Sequence, residues 1–226
     1  MFWDTTYILV IIGAIICMIA SLNVRATYSR FGDVYNKKGF TAQEVAMQIL
    51  HSAGIYDVRI ERISGSLTDH YSPNEKVLRL SDSVINSTSV AAIGVAAHEC
   101  GHAIQHNESY GPLNLRSASV PVANIGSTLS WPLVLLGLVL GFPNLARFGV
   151  ILFIFVVFFQ LITLPVEFDA SRRAVKILGE RSILIDSELK GAKKVLRAAA
   201  LTYVAALFSS ILQLLRLFII TRSNDD

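Results

Sequence analysis

The chain alternates between long runs with almost no charge and polar stretches whose apolar positions follow helix or strand periods. Four runs are apolar: "YILVIIGAIICMIASL" from Tyr7 to Leu22, "LSWPLVLLGLVLGF" within Pro121 to Phe142, "FGVILFIFVVFFQLITL" from Phe148 to Leu164, and "AALTYVAALFSSILQLLRLFII" from Ala199 to Ile220. Each approaches the ~17–25 residues a helix needs to span a bilayer, and core helices of water-soluble proteins rarely reach this length without charge. The second run is the least regular, because Ser, Asn and Gly occupy its first half. Trp3 and Tyr7 flank the first run as interfacial anchors, and no Lys or Arg precedes it. It therefore reads as a retained anchor rather than a cleaved signal peptide.

The polar stretches carry shorter elements. "TAQEVAMQILHSAG" places Thr41 and Glu44 at capping-box spacing, puts Val45, Ile49 and Leu50 on one face, and ends at Gly54, which predicts a helix. "YDVRIERISG" alternates Val58, Ile60 and, less strictly, Ile63, which predicts a strand. "SPNE" is a turn and "KVLRLS" a second short strand, expected at a sheet edge where an extended peptide can pair. "SDSVINSTS" leads into a helix carrying "VAAHECGHAIQH", with Ser87, Thr88 or Ser89 as its cap.

Composition agrees with the apolar runs: 53% of residues are hydrophobic, 16% are charged, and the mean hydropathy is +0.52. The net charge is +3, but the basic residues flank the apolar runs, which is a topology pattern and not a nucleic-acid signal. The positive-inside rule puts 24–120 and 166–197 in the cytoplasm and both termini outside. Arg216 lies inside the fourth run, close enough to the outer end to snorkel, or else in an interfacial helix. The cysteines Cys17 and Cys100 suggest no disulfide framework, and the sequons at Asn86 and Asn107 mean little in a cytoplasmic segment.

The expected fold is a mostly α, membrane α+β protein. About four transmembrane helices accompany a small cytoplasmic zincin-like α+β catalytic domain with an H-E-x-x-H helix. The division along the chain is a membrane anchor over 1–24, a cytoplasmic domain with the zinc helix over 25–120, and a transmembrane hairpin over 121–165. A cytoplasmic helical segment with the third ligand follows over 166–198, then a last transmembrane helix and tail over 199–226.

His98 and His102 are four residues apart, so on a helix they face the same way and can share one ion. Glu99 lies about 100° further round, near enough to reach a water beside that ion without ligating it. This suits hydrolysis: two imidazoles and a third ligand hold Zn²⁺, an open position takes water, and Glu99 moves the proton to the leaving amine. Cys100 falls on the far face as a packing residue. Gly101 costs the helix about 1 kcal/mol against Ala, which implies a close approach to its backbone. His106 shares the face, but two turns, about 11 Å, separate it from His98, too far for one ion.

The third ligand comes from elsewhere. "LPVEFDASRRA" offers Glu167 and Asp169 just after the third run, and two membrane crossings bring both back to the side of the histidines. Glu167 is the favoured ligand, with Asp169 as its outer hydrogen-bonding partner or its substitute. Both also suit the first turn of a helix, and Pro165 marks a span exit or a helix start.

"AAHECGHAIQ", "LTDHYSP" and "LPVEFDASRRA" together resemble the YugP-like neutral zinc metallopeptidases, a bacterial membrane family, and more distantly gluzincins of the HtpX kind. The likeness covers nearly the whole chain. It implies His98, His102 and Glu167 as zinc ligands, Glu99 as the catalytic acid and a bacterial cell-membrane location. The HtpX-like pattern has an Asp four residues after its Glu, whereas Ser171 stands there in this chain.

In "LTDHYSP", His70 and Tyr71 can donate to an oxyanion, with Asp69 orienting His70; the alternative is an Asp-initiated turn before Pro73. The expected activity is a membrane-bound zinc endopeptidase acting on a protein or peptide substrate, in contact with the lipid bilayer and without nucleic acid. A non-catalytic metal-binding membrane scaffold and an intramembrane, site-2-type metalloprotease are the competing readings. Against the first stands Glu99, since a structural site needs no base. Against the second, "VAAIGVAA" is short and follows polar "NSTS".

Overall fold

The computed structural model of the protein describes residues 5–222, so the Trp3 anchor and the end of the "TRSNDD" tail lie outside the described residues. Its elements in chain order are α1 (Tyr7–Gly32), α2 (Ala42–Ser52), β1 (Arg59–Ile63), β2 (His70–Ser72), β3 (Val77–Ser81), α3 (Val90–Asn107), α4 (Gly111–Val139), α5 (Pro143–Glu180) and α6 (Asp186–Arg222). The chain divides into two units. One holds residues up to Ser21, Asn114–Leu164 and from Leu201 on; the other holds Leu22–Leu113 and Pro165–Ala200.

In the first unit, four helices (α1, α4, α5 and α6) are long and apolar enough to cross a membrane. Their large apolar side chains point outward: Ile15, Leu136, Phe155 and Phe218 are all exposed. In water such a surface drives aggregation, whereas in hydrocarbon it is the required covering. Small residues bring these helices together. A Cβ on Gly149 would sit 2.7 Å from the Ser130 carbonyl oxygen, so α4 and α5 touch backbone to backbone there. Arg216 is buried at 7% exposure. Its guanidinium lies 4.2 Å from the Tyr7 ring centroid and 6.0 Å from that of Trp131. Aromatic faces thus shelter the charge, and because α6 is continuous through Arg216 the alternative of a separate interfacial helix does not hold.

Pro121 and Pro132 sit inside α4, and Pro165 sits inside α5. Pro165 was expected at a span exit or helix start; α5 runs through it, so it starts no helix, while it still directly follows the end of the apolar run at Leu164. The missing N–H leaves one intrahelical bond unmade, a loss that long membrane helices tolerate. Glu167 and Asp169 are consequently mid-helix and not in a first turn.

The second unit is built around α3. Ser89 caps this helix by accepting from the Ala92 N–H, and Ala91, Ala92, Gly94, Ala96 and Ala97 keep it slim. Slimness lets it be buried nearly all round, as a central helix must be. Helix α2 packs on it through Val45, Ile49 and Leu50. The Thr41–Glu44 capping box forms, and Gly54 follows the last turn at φ +73. Cys100 is fully buried, where its thiol donates to the Ala46 carbonyl. Burial pushes that thiol well above its ordinary range, with the Glu99 charge adding to the effect.

The sheet order is β1-β3-β2. Strand β3, "VLRLS", was expected at an edge but is central, parallel to β1 and antiparallel to β2. Both of its ladders are occupied, so it cannot accept a peptide. The segment around His70, open between a site loop and a turn, is the third strand. There Tyr71 stands opposite Leu78.

Helices α3 and α5 approach each other closely at Gly101. A Cβ there would lie 2.7 Å from the Ala170 carbonyl oxygen and 3.1 Å from its Cα. Gly101→Ala should therefore lower the thermal unfolding midpoint of the purified protein. The clash costs about 1–3 kcal/mol, more than the roughly 1 kcal/mol of helix propensity gained. A raised midpoint would show that the helices yield freely here.

Candidate metal centre

Helix α3 presents His98 and His102 one turn apart, with ring centroids 4.7 Å apart and planes at 82°. Helix α5 brings Glu167 to them: its Oε2 lies 3.3 Å from His98 Nε2 and 3.6 Å from His102 Nε2. One ligand atom from each residue falls within 4.8 Å of the others. The Glu167 side chain is 3% exposed, against 15% for His98 and 11% for His102, so the group opens to solvent on the histidine side. Two imidazoles and one carboxylate, with room for a fourth partner, are the donor chemistry of a catalytic zinc site, and the residues present fit that ion.

The electrostatics follow from the crowding. Burial alone would raise the Glu167 carboxyl, but hydrogen bonds and charge from His102 and His98 outweigh it and hold the group far below its usual range. Burial alone would lower His102, but the Glu167 hydrogen bond and the charges of Glu99 and Glu167 raise it. The apolar run of α5 ends at Leu164, so Glu167 lies beyond it.

Each ring is oriented from behind. His98 Nδ1 meets Ser171 Oγ at 3.1 Å, and His102 Nδ1 meets Gln105 Oε1 at 3.0 Å. Gln105 is fully buried, and its Nε2 donates to the Val166 carbonyl at 2.9 Å and to Asp169 Oδ2 at 3.0 Å. With its amide N–H groups so used, only its oxygen is left for His102. That makes His102 Nδ1 a donor, so that in the neutral ring Nε2 is the atom available to a metal ion.

Asp169 stands behind the group, not in it. It accepts from Gln105, from Arg173 Nε at 2.5 Å and from Arg172. Burial raises its carboxyl, yet the hydrogen bonds from Gln105, Arg173 and Arg172 bring it below its ordinary value. Arg173 also reaches Glu108 at 2.6 Å, tying the end of α3 to α5.

Glu99 is buried at 9% exposure and accepts the Tyr71 N–H on Oε2 at 3.0 Å. Tyr71 is on β2, and its N–H points away from β3 toward the site. Its hydroxyl pairs with His106 Nδ1 at 2.9 Å, so His106 anchors the strand and is remote from the metal group. His70 does not join the His98–His102–Glu167 group. Its Nδ1 contacts the Thr68 carbonyl at 2.8 Å. Asp69 does not orient it, because Asp69 accepts from the Ser81 N–H and hydroxyl at 2.7 and 3.0 Å. Sequence reasoning did not single out Gln105, and it noted Ser171 only as a departure from the HtpX-like pattern, without a role. Their signal was spacing, three residues past His102 and four past Glu167.

A compact three-donor group in a chain with four membrane-length helices defines a membrane protein equipped to hold a metal ion. The chain belongs to the zinc metallopeptidase family described as "Putative neutral zinc metallopeptidase", whose family model matches residues 6–222. It is 47% identical over 207 residues to "Putative membrane protease YugP" of Bacillus subtilis (strain 168), covering 92% of each chain. No solved structure matches it.

Proposed function

We propose that this protein is a membrane-bound zinc endopeptidase in which His98, His102 and Glu167 hold the metal and Glu99 is the general base. The observation that carries this reading is the convergence of Nε2, Nε2 and Oε2 on one point, with a second buried carboxylate alongside. A zinc ion held there supplies an electrophile that polarises the scissile carbonyl and acidifies water. Glu99 accepts a proton from the attacking water as the new C–O bond forms. It delivers that proton to the amide nitrogen as the C–N bond breaks, so one water is consumed and the carboxylate is regenerated. The Tyr71 N–H steadies Glu99 for both transfers. The sheet edge beside Glu99 is β2, and an extended peptide pairing there would pass the site.

Helix α3 is not among the four membrane-length helices, which favours a substrate segment presented outside the hydrocarbon over a membrane-span substrate. Purified, detergent-solubilised protein should contain about one zinc per chain, as catalytic sites of this donor set do. It should cleave a casein-like soluble protein and leave a membrane-span peptide intact. The reverse preference would make it an intramembrane protease. Zinc without any peptidase activity would make it a scaffold.

The distribution of Lys and Arg supports a cytoplasmic location for the metal-holding segments at a bacterial cell membrane. An Asn144→Cys variant should then react with a membrane-impermeant thiol reagent in intact cells, and an Asn74→Cys variant should not. Labelling of Asn74→Cys alone would put the site outside.

A further inference from the structure

Helices α5 and α6 line an open cavity of about 470 Å³ that the proposed hydrolysis does not use. Its apolar walls include Phe168, Val175 and Leu196, and its cationic lining is Arg172, Lys176, Lys193 and Arg197, with no carboxylate among its lining residues. Two of these cations have acidic neighbours, since Arg172 bonds Asp169 and Lys176 lies 3.9 Å from Glu180. The side contributed by α6 is different in kind. From Lys190 to Arg197 that helix carries Lys190, Lys193, Lys194 and Arg197 and no acid.

We infer that this cavity binds the phosphate headgroup of an anionic phospholipid, with Lys193 and Arg197 as its principal cationic contacts. Charge selects an anion, and the apolar walls select an amphiphile over a free ion. Phe168, 46% exposed, offers acyl-chain contact that inorganic phosphate has no use for. A lipid is favoured over an acidic peptide because of where the cavity falls along its own helices. Phe168 lies four residues beyond Leu164, where the apolar run of α5 ends, and Ala200 lies within the first turn of the apolar run of α6. Basic residues immediately outside such runs sit at headgroup depth, where each contributes to binding acidic lipids. The cavity also touches the metal group, because Ser171 lines it and bonds His98. An occupant therefore lies one side chain away from a proposed ligand.

The test uses the full-length protein in neutral detergent micelles, titrated with phosphatidylglycerol and, separately, phosphatidylcholine. Phosphatidylglycerol should bind saturably and phosphatidylcholine should not. A Lys193→Gln/Arg197→Gln variant should bind phosphatidylglycerol roughly 25-fold more weakly, at about fivefold per juxtamembrane cation. A Lys38→Gln/Lys194→Gln variant, which loses equal charge outside the cavity lining, should bind as the parent does. Zinc content should be unchanged in both variants, which separates this outcome from misfolding and from failure of the peptidase reading. The inference is overturned if the two variants weaken binding alike, because attraction is then diffuse. It is equally overturned if phosphatidylcholine binds as well, or if inorganic phosphate displaces the lipid at matching concentration. An acidic decapeptide binding in place of the lipid, through Lys193 and Arg197, would make the occupant a peptide and refute it.

Discussion

Glu99→Gln protein should retain zinc and lose peptide hydrolysis, by about 10²–10⁴-fold in kcat as expected for removal of a general acid–base group. The substitution is nearly isosteric, and a glutamine oxygen can still accept the Tyr71 N–H that the carboxylate accepts at 3.0 Å. The strand–helix contact should therefore survive, and so should His98, His102 and Glu167. What disappears is the proton acceptor. Metal analysis and a peptidase assay on the same preparation read the two properties separately. Wild-type turnover in the variant, with contaminating proteases excluded, would eliminate Glu99 as the base.

The second large effect is on metal affinity. Glu167→Ala should weaken zinc binding by well over the ~10–100-fold expected when an outer partner is lost, because it removes one of three protein donors. Asp169→Ala should fall within that ~10–100-fold range. Asp169 reaches the group through Gln105, whose other end fixes His102. Competition titration against a chromogenic chelator ranks the two variants. If Asp169→Ala loses zinc while Glu167→Ala retains it, the ligand assignment on α5 is wrong.

Much of this arrangement can be read from local sequence. Ser89 before an alanine-rich run, the Thr41–Glu44 box and the four apolar runs each specify an element through interactions close in the chain. The facing of His98 and His102 follows from helical geometry alone. What is not legible depends on partners far along the chain. Strand β2 is three residues long, and only its pairing with β3 makes "HYS" a strand. The central place of β3 does have a trace, since Val77, Leu78 and Leu80 are apolar in near succession, as in strands covered on both faces. Pro165 misleads only as a helix start: that rule comes from helices in water, and α5 tolerates the missing bond. Asp69 sits beside His70, but the Ser81 groups across the sheet hold it. No local spacing announces that competition.

The meeting of Gly101 with Ala170 bears on which ions can lodge between the helices. Gly101 falls between His98 and His102, and Ala170 falls between Glu167 and Ser171, so the two backbones touch at the middle of the donor group. That contact lets Glu167 come close to both imidazoles, and parting the helices for a larger guest would give up the packing between them. Calcium, which takes 6–8 oxygens at about 2.3–2.6 Å, would need both more donors and a wider gap. Discrimination among ions thus becomes a matter of ionic radius and coordination number, and the absence of one methyl group on α3 is what lets the helices close to the narrow spacing.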